Sequence, residues 1–438
     1  MSGRWARRIL SLYRVAGAAA YPLVGPYIAW RTTRGKEERG RRRERYGWAG
    51  RPRPEGPLIW VHAASVGETI AVAPLVDSIL DSGLNVVLTT GTVTSAQVAE
   101  DRLGERIIHQ YVPLDLKPAV CRFLGHWQPD LAIIAESEIW PVTILELGTR
   151  RVPQVLVNGR LSERSFNSWK KRPHLAEALF ENLAHVVAQS ELDGERFLAL
   201  GARPVTVSGN LKVDTTPPPV EERALTGLLR QIGPRPTWAA VSTHEGEEMV
   251  AAEVHQMLRQ RHDGLLTIVV PRHPGRAAAL APEFEAMGLK VIRRSAGDRV
   301  RSDTDIYLGD TIGEMGLYLR LAEIAFVGRS LTCAGGQNPL EPAMLETAVL
   351  SGSKVQNFQE VYRRLVDCGG ARIVRDRDDL AGAVDELLLH DRLRRDMAAA
   401  GAAAVAEMRG ALAKTQKALE PYIHPLVVKS RLRNAGGR

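Results

Sequence analysis

Residues 58–76 read LIWVHAASVGETIAVAPLV. The stretch opens with a continuous apolar run of strand length. It passes through small residues and a glycine, and a second apolar run with helical spacing follows. A strand that is apolar on both faces and feeds a helix through a short polar turn is the start of a buried parallel sheet. The turn itself, Ser65 to Glu68, has two readings. Ser-x-x-Glu before an apolar helix is a capping box, and a carboxylate in the first turn suits the helix dipole. The turn also follows a strand, where open α/β sheets carry their ligands. Glu68 is therefore either a cap or a catalytic group.

The same alternation continues along the chain. LNVVLTT, IIHQYVPL, DLAIIAE, PQVLVN, HVVAQS and VTVSGN read as further strands, with helical patterns between most of them. At 215–222 the sequence TTPPPVEE interrupts the pattern, because three prolines in a row fit neither a helix nor a central strand. Strands then resume with TWAAVS, LLTIVVP, LKVIRR, DIYLGD, IAFVGR, AVLSG and ARIVRD. The expected fold is α/β, with two doubly wound halves of similar architecture. The expected division is an N-terminal arm (1–53), a first Rossmann-like domain (54–214), a linker (215–230) and a second Rossmann-like domain (231–438). Helices over 380–425 are expected to close that second domain.

Composition sets limits on function. The chain has 438 residues, 45% hydrophobic and 25% charged, as in ordinary soluble globular proteins. Its three cysteines, Cys121, Cys333 and Cys368, form no C-x-x-C, so no disulfide framework or cysteine-rich zinc site is implied, and a reducing compartment fits. The formal net charge is +8, yet residues 1–53 hold fourteen Arg and Lys against three Glu, so the other 385 residues sum to −3. The basic character belongs to the arm, and nucleic acid is not an expected partner of the body. Within the arm, residues 15–30 (VAGAAAYPLVGPYIAW) are uncharged and mostly apolar, with arginines on both sides. Sixteen residues broken by Pro22 and Pro26 are short for a membrane span. A secretory signal, an amphipathic helix packed on the body and an interfacial anchor are the other readings. The anchor is favoured, with Tyr21, Tyr27 and Trp30 at the headgroups and arginines such as those of RGRRRER (39–45) on anionic lipid. The positive charge on the C-terminal side of the apolar run keeps the rest of the chain on the cytoplasmic side.

Polar residues cluster after the strands. In the first half, Glu68, Glu138 and Lys212 suit proton transfer and charge stabilisation. In the second half, Arg272, with His273 and Arg276 nearby, and the GGQNPLEP segment suit a phosphate. No G-x-G-x-x-G follows a strand, and neither a P-loop nor H-E-x-x-H occurs. The two D-x-D pairs, Asp303/Asp305 and Asp376/Asp378, precede a strand and a helix and read as structural.

These stretches recur in order as HAASVGE, ESEIWP, NGRLS, GNLK, STHEGEE, PRHP, GDTIGEMG, GGQNPLEPA and a final NF. In this the chain resembles the bacterial 3-deoxy-D-manno-octulosonic acid (Kdo) transferases over about residues 5–425. The resemblance implies a GT-B glycosyltransferase fold, two Rossmann-like domains facing a central cleft. It implies transfer of Kdo from CMP-Kdo to a lipid A precursor (lipid IVA) in lipopolysaccharide core synthesis. The transfer would be inverting, without metal or other cofactor, at the cytoplasmic face of the inner membrane. By motif position Glu68 would be the general base, with Glu138 and Lys212 stabilising the transition state. Pro271, Arg272, Gly313, Glu314, Met315, Asn338, Pro339, Leu340 and Glu341 would hold CMP. The chain departs from the pattern at Gln337, where His is expected, at Gly159, where Ala is expected, and in GSKVQNF, which lacks a proline after its glycine. Other readings are a different GT-B nucleotide-sugar transferase or epimerase, and an inactive membrane-tethered binding protein.

Overall fold

The computed structural model describes residues 21, 24–214 and 216–436. Most of the apolar run 15–30 therefore lies outside the described residues, apart from Tyr21 and the part from Val24 onward. The chain forms two compact units, one of Met1–Thr215 with Arg409–Arg438, the other of Thr216–Met408.

The first unit holds β1 (Leu58–Ala63), β2 (Asn85–Thr90), β3 (Ile108–Tyr111), β4 (Leu131–Ala135), β5 (Gln154–Gly159), β6 (His185–Ala188) and β7 (Val205–Val207). They lie in the order β3-β2-β1-β4-β5-β6-β7, all parallel. The register pairs Trp60 with Val87 and His62 with Thr89. Side chains alternate across a strand, so β1 feeds two cores. Ile59, Val61 and Ala63 join one with Val72, Val76 and Leu88, and Leu58 and Trp60 join the other with Phe123, Trp127 and Phe180. That is why the strand is apolar at consecutive positions.

The second unit repeats the plan with β8 (Thr237–Thr243), β9 (Leu266–Pro271), β10 (Val291–Arg293), β11 (Ile306–Leu308), β12 (Ile324–Val327), β13 (Ala348–Gly352) and β14 (Ala371–Val374). The order is β10-β11-β9-β8-β12-β13-β14, again all parallel. Every strand read from the sequence is present.

The ends of the chain differ from expectation. Helix Ala411–Gly436 does not close the second domain. Its partly buried Leu412, Ala418, Tyr422, Ile423, Leu426 and Val427 pack on the first unit's core, where Ala411 and Leu419 are buried. Asp214 fixes its start by accepting the N–H groups of Gly410, at 2.8 Å, and Leu412. Helical propensity cannot say which sheet a helix will cover. Part of the expected linker is helix Glu222–Ile232 of the second unit.

The basic arm is partly built into the fold. Arg39–Tyr46 is a 3-10 helical segment beside β3. Arg45 is buried and donates to Glu37 at 2.9 Å, to the Gly91 carbonyl at 2.7 Å and to the Val112 carbonyl at 3.2 Å. Glu44 receives the Arg41 guanidinium at 2.8 Å and the Tyr111 N–H at 2.7 Å. Tyr21 packs edge-on to Tyr46, centroids 5.8 Å apart. These groups do not wait for lipid. Tyr27 and Trp30, on helix Val24–Thr33, stack at 6.2 Å and stay half exposed, with Arg34 over the indole at 4.4 Å. Among the described residues no helix is long and apolar enough to cross a membrane.

Replacing Leu419 by Ala leaves a cavity in the first unit and is expected to destabilise it by about 2–5 kcal/mol. Amide hydrogen exchange read by mass spectrometry should show β1 and helix Val66–Asp81 losing protection while β8 and β9 keep theirs. Loss confined to β8 and β9 would contradict the placement of this helix.

Candidate active site

In a doubly wound sheet the crossovers run to opposite sides at one point, and the loops there part to leave a ligand crevice. In the first unit that point lies between β1 and β4, whose following loops carry Glu68 and Glu136 to Glu138.

Ser65 caps helix Val66–Asp81, its hydroxyl oxygen accepting the Glu68 N–H at 3.4 Å. The Glu68 carboxylate does not return to the Ser65 N–H, as a capping box would require. It accepts the Ala64 N–H at 2.7 Å and the Ser65 hydroxyl at 2.7 Å. Burial pushes this carboxyl up to about 7, helped by the nearby charges of Glu136 and Glu138 and opposed by those two hydrogen bonds.

Glu136 leaves β4 with φ of 55°, in the left-handed region that few non-glycine residues adopt. Its carboxylate pairs with the Lys212 ammonium at 2.5 Å. Lys212 lies on the 3-10 turn Leu211–Asp214, and its Cε is 3.7 Å from where a Cβ on Gly67 would be. Buried Asn158, at the end of β5, holds that turn by accepting the Leu211 N–H at 3.0 Å. Glu138 accepts the Trp140 indole N–H at 2.6 Å, and burial, with Glu136 adding to it, raises its carboxyl. The structure thus brings Glu68, Glu138 and Lys212 together and adds Glu136, which holds the lysine. ESEIWP offers two glutamates, and nothing local shows which one reaches a lysine 76 positions on.

In the second unit the equivalent point lies between β8 and β12. Here the sequence reading missed Glu247. Its fully buried carboxylate accepts four backbone N–H groups: His244 at 2.9 Å, Arg329 at 2.6 Å, and Ser330 and Leu331 at 2.9 Å each. It ties the loop after β8 to the loop after β12. The signal was present as Glu-Gly-Glu-Glu opening a helix, where carboxylates are commonplace caps.

Pro271 and Arg272 end β9 and follow it, and the Arg272 N–H donates to the Thr243 carbonyl at 2.9 Å. The Arg272 side chain is exposed and makes no ion pair among the described residues. Gly313 turns the loop after β11 with φ of 83°, and Met315 begins helix Met315–Arg320. Glu314 is bound to Arg294 at 2.7 and 2.9 Å, which, ahead of its bond from Thr311, holds its carboxyl below the usual range. It braces the loop. Asn338 accepts the Leu340 N–H at 3.1 Å and donates to Glu341 at 3.3 Å, with Pro339 preceding helix Leu340–Met344. β11, β9, β8 and β12 are neighbours in the sheet and end on one edge, and the nine residues read as CMP-binding lie at or just after the ends of β9, β11 and β12.

Residues 40–215 match the model of the family described as 3-deoxy-D-manno-octulosonic-acid transferase (kdotransferase). The chain is 35% identical over 418 residues to the 3-deoxy-D-manno-octulosonic acid transferase of Haemophilus influenzae, covering 92% of this chain and 96% of that protein.

The chain belongs to the Kdo transferase family.

It is a glycosyltransferase enzyme. The Kdo transferase of Bordetella pertussis is also 35% identical, over 86% of this chain and 91% of that one. Among solved structures, a glycosyltransferase from Rickettsia africae superposes with TM-score 0.56 at 13% identity, covering 84% of this chain and 99% of that one. The fold is GT-B. At Gly159, where the sequence reading expected Ala, the packing is tight: a Cβ there would lie 3.1 Å from Phe197 and 3.3 Å from Val186. Both D-x-D pairs are engaged in the fold. Asp303 pairs with Lys290 at 2.6 Å, Asp305 accepts the Lys290 N–H at 2.8 Å, Asp376 caps helix Arg377–Leu389, and Asp378 pairs with Arg377 at 2.9 Å.

Glu136→Gln removes a like charge from Glu68 and leaves Lys212 less neutralised. Both changes favour the ionised form of Glu68, so its titration midpoint should fall from about 7 towards the ordinary range. A carbon-13 carboxyl NMR titration checks this, and a midpoint that stays or rises would contradict the coupling.

Proposed function

We propose that the enzyme transfers Kdo from CMP-Kdo to lipid IVA, the lipid A precursor, with inversion and without metal, at the cytoplasmic face of the inner membrane. The observation that carries this reading is Glu68. It is a buried carboxyl pushed to about 7, oriented by two hydrogen bonds, at the point where β1 and β4 part. A general base works best when its pKa lies near the working pH. Glu68 takes the proton from the acceptor hydroxyl as that oxygen attacks the anomeric carbon from the face opposite CMP.

The sugar centre develops oxocarbenium-like charge as CMP leaves. Glu138 stabilises that charge, and Lys212, set in place by Glu136, faces the carboxylate next to the anomeric carbon. The departing phosphate gains negative charge, which Arg272 and backbone N–H groups of the 313–315 and 338–341 segments meet most strongly in the transition state. Arg272 and Asn338 take part through side chains. Pro271, Gly313, Glu314, Met315, Pro339, Leu340 and Glu341 shape the pocket for CMP.

Helix Val24–Thr33 holds the enzyme on the bilayer surface. Its stacked, exposed Tyr27 and Trp30 enter the headgroup layer, and Arg34 adds attraction to anionic lipid. Replacing both rings by Ala should reduce co-sedimentation with anionic vesicles several-fold while CMP release in detergent is unchanged. Unchanged sedimentation would remove this helix from the membrane contact.

The decisive assay is CMP release from CMP-Kdo in the presence of lipid IVA. The base must be ionised, so the rate should rise about tenfold per pH unit below about 7 and level off above it. Glu68→Gln should lose about 10²–10⁴-fold at unchanged melting temperature, and the acid limb should disappear. A variant that keeps its rate moves the base to another residue, with Glu138 the next to test. No CMP release from wild type, with turnover of a UDP-sugar instead, would favour another GT-B transferase or epimerase.

A further inference from the structure

The body of the chain has no net basic charge, but among the described residues helix Glu163–Lys170 carries a concentrated basic face. Helix Glu163–Lys170 begins shortly after β5, capped by Ser162. Phe166 and Trp169 turn towards the core, Trp169 edge-on to Phe180 at 5.7 Å. Arg164, Asn167, Ser168, Lys171 and Arg172 fall on the other face with three- and four-residue spacing and line a cavity of about 480 Å³. Arg164, Lys171 and Arg172 are exposed and make no ion pair among the described residues. Elsewhere on the surface, Arg106 has both Asp77 and Asp81, and Arg377 has Glu253 and Asp378.

Cations at a helix C-terminus are favoured by the dipole, which accounts for Lys171 and Arg172. It does not account for Arg164, which sits in the first turn, the wrong end for a cation. Three like charges lining one cavity without counter-ions repel each other, and an anion bound among them would relieve that repulsion. The mounting is rigid. The Leu161 N–H donates to buried Asp193 at 2.8 Å, and Arg196 donates to the Leu161 carbonyl at 2.6 Å. The location also fits. The helix, about 12 Å long, begins four residues after β5, and β5 adjoins β4, which leads to Glu136.

We propose that this face is a phosphate subsite for the acceptor, binding a phosphate monoester of the glycolipid while its hydroxyl is presented to Glu68. The inference rests on the Kdo-transfer reading for the identity of the acceptor. A phosphate monoester carries close to two negative charges near neutral pH and three acceptor oxygens, which matches two guanidinium forks and an ammonium.

The test uses the full chain and a deacylated, water-soluble lipid A precursor, before and after phosphatase treatment. Wild type should bind the phosphorylated compound about 10- to 100-fold more tightly by calorimetry. The triple variant Arg164→Gln/Lys171→Gln/Arg172→Gln should lose that preference at unchanged melting temperature. The Arg164→Lys/Arg172→Lys variant should keep part of it. A preference that survives in the triple variant, or is missing in wild type, overturns the subsite. Loss of binding to phosphatidylcholine–phosphatidylglycerol vesicles with the preference intact would assign the face to membrane headgroups and overturn it too. CMP release is read separately. If the preference depends on the three cations but no CMP is released, the subsite stands and the transfer reading falls.

Discussion

A parallel strand cannot pair with the next one until the chain has crossed back over the sheet. Each of the two sheets here is wholly parallel, so within a sheet every strand ends on the same edge. That constraint gathers residues from distant parts of the sequence. Glu68, Glu136, Glu138, Asn158 and Lys212 follow or end four strands of one sheet, and all reach one side of it. The two-way winding then opens the edge between β1 and β4 in the first unit and between β8 and β12 in the second. The acidic cluster and the Glu247 mooring lie at those two openings.

The two openings use buried glutamates differently. Glu247 has its oxygens taken by four N–H groups from two loops and serves as a fixed point for backbone. Glu68 has one backbone N–H and one hydroxyl, with two further glutamates near it. Burial and like charge raise its carboxyl, and the two hydrogen bonds stop it from rising further. Lys212, paired with Glu136, keeps the like charge at a level the fold can tolerate. A buried acid without its partners would be far more costly.

All fourteen strands were legible in the sequence because a strand buried on both faces leaves a continuous apolar run, and the triple proline marks the break between the units. Sheet order was not legible, since it depends on which strands pair. For the same reason the choice between Glu136 and Glu138 could not be made locally. The last helix was assigned to the wrong domain because helical propensity shows that a helix forms but not which sheet it covers. Charge counting overstated the arm: a formal sum treats Arg41 and Arg45 like Arg34, although the first two are spent on Glu44, Glu37 and backbone carbonyls. It also understated the body, where acidic residues elsewhere cancel the cations of the 164–172 face in the total but not in space.

At SVGE the cap and the base proposed for Glu68 do not exclude each other. Ser65 caps the helix, and in doing so its hydroxyl points at the Glu68 carboxylate. The cap orients the Glu68 carboxylate and supplies one of the two hydrogen bonds that keep its pKa near 7 instead of above it. Gly91 lies so close to the Ala64 carbonyl that a Cβ there would be 2.6 Å from it, whereas a Cβ on Gly67 would only touch Lys212 at ordinary contact distance, 3.7 Å from its Cε. Gly91 thus lets the loops after β1 and β2 approach each other beside Glu68, and the cap gives that carboxylate a fixed direction that a bare loop would not. Capping and the proposed proton transfer draw on the same few atoms because the first turn of a helix is where backbone N–H groups are available, and a buried carboxylate is stabilised by them.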